Sequence, residues 1–382
     1  MVPASRAAAG AWGTDPVVGL TGDYATNPAL LYVAHTTQSD AAVLLDAPTD
    51  YVADNLKLTL LPSLRLGDTK SYSSVNSNYE HLNVRSEYAT ERSSLTAMAG
   101  VSRDTSLSQD YLSNGAVGVR RDGALADLAW QRALTENVSF NASADVTRVR
   151  YATPAGAASL TDYRYTSLAQ SLSWTAGDKT RLDIDFSEGR YNSLDGSTES
   201  RNGNLQLGLT KSLTPLWTLT ASGGVSRALN QLQFYERFYI YLIPVSVRSS
   251  QTATVYSFNL QRQAERLQLT MIATLQEVPT GFALLSRQNN LEVQANYALS
   301  ARWTLGSDLR YLRSEDPSLT GGHTNRDLRY ATLSATWQWT EHCTLTMAAS
   351  RVSQRYLATD LQRSSTQVDL TLSRKFNHLN FQ

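Results

Sequence analysis

The chain has 382 residues, one cysteine, and 34 Lys plus Arg against 34 Asp plus Glu. This balance gives no electrostatic footprint of a nucleic-acid groove or a polybasic membrane surface, and one thiol excludes an internal disulfide, a CxxC metal clip and a CxxCH haem site. No run of 18 apolar residues occurs, so no helix of this chain crosses a membrane; the mean hydropathy of −0.31 is equally that of strands whose apolar and polar faces average out.

Met1 to Gly10 carries small residues at Ala7, Ala8 and Ala9 without a preceding apolar stretch. Residues 1–16 therefore read as a disordered N-terminal segment of a mature start. Val17 to Thr26, with room to continue to Val33, supplies a rising strand, and seventeen further strands follow from Ala41, the last being Thr366 to Phe376. Several windows alternate with period two, the mark of a strand with two different faces. Leu182, Ile184 and Phe186 alternate with Arg181, Asp183 and Asp185, and Leu205, Leu207 and Leu209 with Gln206, Gly208 and Thr210. Tyr256, Phe258 and Leu260 do the same, as do Leu291 to Leu299 and Val368 to Phe376. No window shows comparable helical periodicity.

Short polar turns recur about every forty residues, centred near Asp54, Arg92, Glu136, Asp178, Pro215, Glu265, Ala301 and Glu341. Their flanks are alike: Thr135-Glu136-Asn137, Thr214-Pro215-Leu216, Ser300-Ala301-Arg302 and Thr340-Glu341-His342 each precede a strand. Between the hairpins lie polar segments read as long loops: Ser106 to Gly115, Thr153 to Thr161, Asn192 to Asn202, Ala228 to Ser250 and Ser314 to Asn325. Strands longer than the usual soluble ones, short turns at one end and long loops at the other predict an all-β fold. It is a transmembrane antiparallel up-and-down β-barrel of about eighteen strands over residues 17–376, sixteen if a weak pair is lost, with a tail at 377–382. A propeller also repeats near forty residues, but with four short strands per repeat where this chain fits two long ones.

Six tryptophans, Trp130, Trp174, Trp217, Trp303, Trp337 and Trp339, sit beside short turns and share the apolar parity, as an interfacial aromatic girdle does. The opposite parity carries Arg65, Arg85, Glu87, Asp127, Asp145, Arg181, Asp183, Asp185, Glu292, Asp308, Arg310, Asp369 and Lys375. These are the candidate lumen-lining charges, either bordering a water-filled path or interlocking across a narrower one. The aromatic stretch Phe234 to Pro244 reads as a protruding hairpin, with an inward constriction or a partner-binding loop as alternatives through Tyr235, Phe238, Tyr239 and Tyr241. No catalytic motif emerges: HExxH, GxSxG and GxxxxGK[ST] are all absent, and His35, His81, His323, His342 and His378 show no zinc-ligand spacing. The chain reads as a non-enzyme without cofactor or metal.

Gly19 to Pro28, Leu60 to Arg65, Val101 to Leu107 and the LTENVSF-type turns resemble a broad family of Gram-negative outer-membrane β-barrel porins, several of which lie in exopolysaccharide export loci. Val368 to Phe376 resembles the terminal strand read by the barrel-assembly machinery, displaced here from the chain end by six residues. The resemblance implies an integral outer-membrane channel passing a hydrophilic solute or polymer, with membrane lipids, the assembly machinery and a periplasmic export or electron-transfer protein as partners. Two other functions remain open: a scaffold or sheath whose lumen holds a partner protein, for example a cytochrome, and an outer-membrane hydrolase.

Overall fold

The computed structural model describes residues 11–28, 30, 37–69, 78–105, 119–152, 160–238, 241–279, 285–315, 325–357 and 359–381. The strands are β1 (Ala11–Thr14), β2 (Val17–Thr26), β3 (Thr37–Asp46), β4 (Thr49–Ala53), β5 (Leu56–Thr69), β6 (Tyr79–Ala89), β7 (Ser93–Thr105), β8 (Arg120–Ala133), β9 (Val138–Ala152), β10 (Tyr163–Thr175) and β11 (Thr180–Ser193). They continue as β12 (Thr198–Thr214), β13 (Trp217–Phe238), β14 (Tyr241–Gln263), β15 (Leu267–Pro279), β16 (Leu285–Ala298), β17 (Trp303–Glu315), β18 (Arg326–Gln338), β19 (Cys343–Tyr356), β20 (Gln362–Lys375) and β21 (Leu379–Phe381).

Consecutive long strands pair antiparallel, and β2 pairs with both β3 and β20, so the sheet closes on itself as an 18-stranded barrel. Closure satisfies the backbone groups that an open edge would leave bare. The three short strands extend the wall at its seam. β1 pairs with β4 and β21, below the columns formed by β2, β3 and β20. Pro16 and Pro48 fall in the breaks between β1 and β2 and between β3 and β4, since proline cannot donate to the ladder; their carbonyls still accept from Phe376 and Asp15 at 2.9 and 3.0 Å. Strand structure therefore reaches into residues 1–16, expected to be disordered, at Ala11–Thr14, and into the expected tail 377–382 at Leu379–Phe381.

All eight expected short turns are present. The reason their flanks look alike is a single hydrogen-bond device: a hydroxyl accepts the amides two and three residues on, and so replaces the missing ladder bonds. Thr135 accepts from Asn137 and Val138, Thr214 from Leu216 and Trp217, Ser300 from Arg302 and Trp303, and Thr340 from His342 and Cys343, all within 3.0–3.3 Å.

At the other end two expected loops are different. Asn192 to Asn202 is mostly strand, joined by a tight turn at Leu194 to Ser197. Glycine supplies the positive φ of 75° at Gly196. Partial burial pushes the Asp195 carboxyl up, but hydrogen bonds from the Ser197 amide and from the Ser193 and Ser197 hydroxyls outweigh it and hold the group below its ordinary value. Ala228 to Ser250 continues the ladder of β13 and β14 without a break to Phe238 opposite Tyr241, making the protruding hairpin. Ser106 to Gly115 lies outside the described residues, as do parts of Thr153 to Thr161 and Ser314 to Asn325.

The burial pattern is inverted relative to a soluble protein. Large apolar side chains face out, with Leu207 66% and Leu333 65% exposed, whereas buried wall positions include Thr21, Asp40, Ser173, Asn202, Gln288 and Glu292. Two small clusters of buried apolar residues occur among the described residues, and both lie inside the barrel.

Candidate functional site: the lumen and its narrowing

The exposed leucines fix the parity of each strand. On β11, Leu182, Ile184 and Phe186 face out, which turns Arg181, Asp183 and Asp185 inward. Carried through the ladder registers, the same reasoning places all thirteen candidate charges on the inner face. They pair along the wall. Arg85 meets Glu87 at 2.7 Å and Arg181 meets Asp183 at 2.9 Å, while Asp183 also accepts from the Ser173 hydroxyl at 2.5 Å. Arg310 meets Glu292 at 2.8 Å and Asp308 at 3.7 Å. Lys375 sits lower, 3.6 Å from Asp15 at the seam. Asp127 and Asp145 are register partners on β8 and β9, and Asp145 accepts from the Ser167 hydroxyl.

The seam carries a denser arrangement. Asp369, Asp23 and Asp40 stand directly opposite one another on β20, β2 and β3. Like charges so placed repel. Arg65 on β5 reaches across them, ion-paired with Asp23 and bonded to Asp40 at 2.9 Å. Asp23 and Asp40 were not among the expected lumen residues. Neither was Asp104, which takes both of its hydrogen bonds from Arg121 at 3.0 Å, with His81 Nε2 3.5 Å away. The signal for Asp104 was present in the sequence: it lies on the Ser102 parity of β7, opposite the exposed Val101.

Among the described residues, two sets reach into the lumen at the loop end, one beside the connection after β15 and one after β2. The ladder between β14 and β15 stops at Tyr256 opposite Leu275, although both strands continue. Beyond that point β15 peels inward. Glu277 accepts a hydrogen bond at 2.9 Å from Ser226, an inner-face residue of β13. Leu285, the first residue of β16, packs with Val149, Tyr163 and Tyr191 on the inner faces of β9, β10 and β11, and is 1% exposed. Four strands of wall separate β11 from β16, so this contact spans the lumen. The second set follows β2. Leu30 packs against Leu312, Leu328 and Val352, inner-face residues of β17, β18 and β19. Its carbonyl accepts from Arg363 at 2.9 Å, and Asn27 donates to the Ser364 carbonyl at 3.3 Å. Asn27 and Leu30 both hold positive φ, 48° and 49°. That conformation is costly for leucine and persists only where surrounding contacts impose it. Side chains of Tyr235, Phe238 and Tyr241, and all of Tyr239, lie outside the described residues.

The six turn-side tryptophans face out. Trp303 stacks on Trp337 at 5.6 Å, Trp337 on Trp339 at 6.0 Å, and Trp130 meets Phe140 edge-on at 6.0 Å. Arg262 lies over Trp217 at 5.7 Å, and Trp174 is 51% exposed. The seventh, Trp12, packs on Tyr51 at the seam extension, 5.0 Å between rings. Among the described residues no group of three or more His, Cys, Asp or Glu side chains is arranged to hold a metal.

No family model matches this chain, and no curated protein matches it. Solved structures similar to it include the copper transporter OprC (13% identity over 91% of this chain and 62% of that one, TM-score 0.49). The chain thus spans less than two thirds of OprC. Pseudomonas aeruginosa OccK2 in complex with glucuronate is also similar (9% identity, 95% and 98% coverage, TM-score 0.47). So is Pseudomonas aeruginosa OpdK with vanillate (10% identity, 97% and 99% coverage, TM-score 0.47).

Proposed function

We propose that this chain is an integral outer-membrane channel that passes small hydrophilic solutes, with its narrowest part built by Leu285, Glu277 and Leu30. The carrying observation is the inversion of burial: leucines line the outside of a closed wall whose inner face is hydroxyls, amides and paired charges. In water such an exterior is costly, because soluble monomers rarely expose contiguous apolar patches beyond a few hundred Å². In lipid it is the stable arrangement, and closure leaves no bare backbone edge. Transport on this reading is selection by width and by inward charge, without covalent chemistry. Membrane lipids and the barrel-assembly machinery follow as partners, the latter through β20 and Phe376.

The exopolysaccharide reading requires a polymer to pass the same narrowing. The seating of Leu285 across the lumen favours a small solute unless that contact opens. Planar-bilayer recording tests the proposal. The wild-type barrel gives small, steady conductance steps. Leu285→Asp, which puts a charge into the apolar seat on Val149, Tyr163 and Tyr191, gives larger ones. Silence from both proteins, or equal steps from both, contradicts it.

A further inference from the structure

The outer face is polarised from end to end. Tryptophans ring the short-turn end, whereas the loop end carries exposed arginines on strand after strand. Arg148, Arg190 and Arg227 each lie ten residues beyond the turn-side start of β9, β11 and β13. Arg103 on β7 and Arg313 on β17 repeat that spacing. Ten residues at about 3.3 Å each, on strands tilted about 40°, climb about 25 Å, which is the height of the apolar band of an outer-membrane barrel. The arginines therefore stand where that band ends.

Their placement works against the fold. Arg148 is the register partner of Arg164, and Arg190 of Arg201. Directly opposed like charges destabilise a sheet. Glu199 relieves the second pair, at 3.1 Å from Arg190 and 2.8 Å from Arg201. On the outer face between Arg148 and Arg164 the ladder offers no carboxylate. Two strands on, Arg201 and Arg248 border an outward groove of about 460 Å³ with Glu199, Leu229 and Ser250 on its walls. A groove walled by guanidinium above and leucine beside suits an acylated, phosphorylated headgroup.

We propose that this arginine belt, from β9 to β14, binds the phosphates of lipid headgroups in the leaflet at the loop end. Guanidinium forks grip phosphate bidentately, and bound phosphates convert the opposed arginines from a repulsion into a shared anion site. The inference rests on the barrel lying in a membrane, and goes beyond the channel reading because it concerns the outside of the wall.

The test is native mass spectrometry of the full chain in maltoside micelles, titrated with diphosphoryl lipid A, with its dephosphorylated form, and with inorganic phosphate as competitor. The wild type retains the diphosphorylated lipid and releases the dephosphorylated one. The triple variant Arg148→Gln/Arg164→Gln/Arg227→Gln binds it about tenfold more weakly, equivalent to about 1.4 kcal/mol. Conductance of the same preparations shows that the variant barrel is folded. Equal retention of both lipids, equal binding by a conducting variant, or complete displacement by millimolar inorganic phosphate overturns the inference. A wild-type chain that neither conducts nor enters micelles overturns the channel reading and this one with it.

Discussion

Arg65 shows how much a single side chain carries at the seam. It is the cation that reaches Asp23 and Asp40, and those carboxylates are largely withdrawn from solvent, at 14% and 3% side-chain exposure. Arg65→Ala leaves three register-opposed aspartates facing one another. Removing one partner of a buried ion pair costs about 3–5 kcal/mol. The expected result is a loss of that order in urea unfolding of the micelle-bound barrel followed by tryptophan fluorescence. Arg65→Lys recovers part of it, because one ammonium cannot fork to two carboxylates. No change in the alanine variant would mean that the triad is held by something else. Arg65 and Asp369 were legible from strand parity. Their grouping with Asp23 and Asp40 was not, because β2 and β20 are some 340 residues apart, as the Thr26–Thr366 contact measures, and periodicity within a strand says nothing about which strands close the wall. Leu285 was illegible for another reason: its parity is outward, and only the inward lean of β15 and β16 brings it to the opposite wall.

At the scale of elements, the turns were read well and one loop, Asn192 to Asn202, was not. In the turns at Thr135, Thr214, Ser300 and Thr340 a hydroxyl acceptor stands three residues before the next strand, so a local signal fixes a local shape. Asn192 to Asn202 was misread because polar residues on a strand's inner face resemble loop composition; Ser200 and Asn202 are buried wall residues. Within the long hairpin Gly224 is demanding. A methyl group there would fall 1.9 Å from the Leu205 carbonyl oxygen, a backbone atom that cannot swing aside, whereas at neighbouring Gly223 nothing lies within 4 Å. Gly224→Ala is expected to destabilise the barrel by about 1–3 kcal/mol, the usual cost of overpacking, and Gly223→Ala by much less. Matched midpoints of thermal unfolding for the two variants would contradict the close approach of β12 and β13.

For the whole molecule, the sequence announced an alternating, closed wall but not what fills it. Period-two patterning states which face meets oil. It is silent about lumen width, because that depends on residues such as Glu277, Leu285 and Leu30, which reach inside from beyond the regular ladder. The inverted burial, the closed ladder and the one-sided tryptophan ring all express one arrangement: oil outside every strand, water inside. Cysteine scanning along β12 tests it most directly, in a Cys343→Ser background reconstituted into phosphatidylcholine vesicles. Asn204→Cys, Gln206→Cys and Thr210→Cys should react with a small charged methanethiosulfonate reagent, while Leu205→Cys, Leu207→Cys and Leu209→Cys should stay protected. Uniform labelling of all six, or the reverse alternation, would contradict the account.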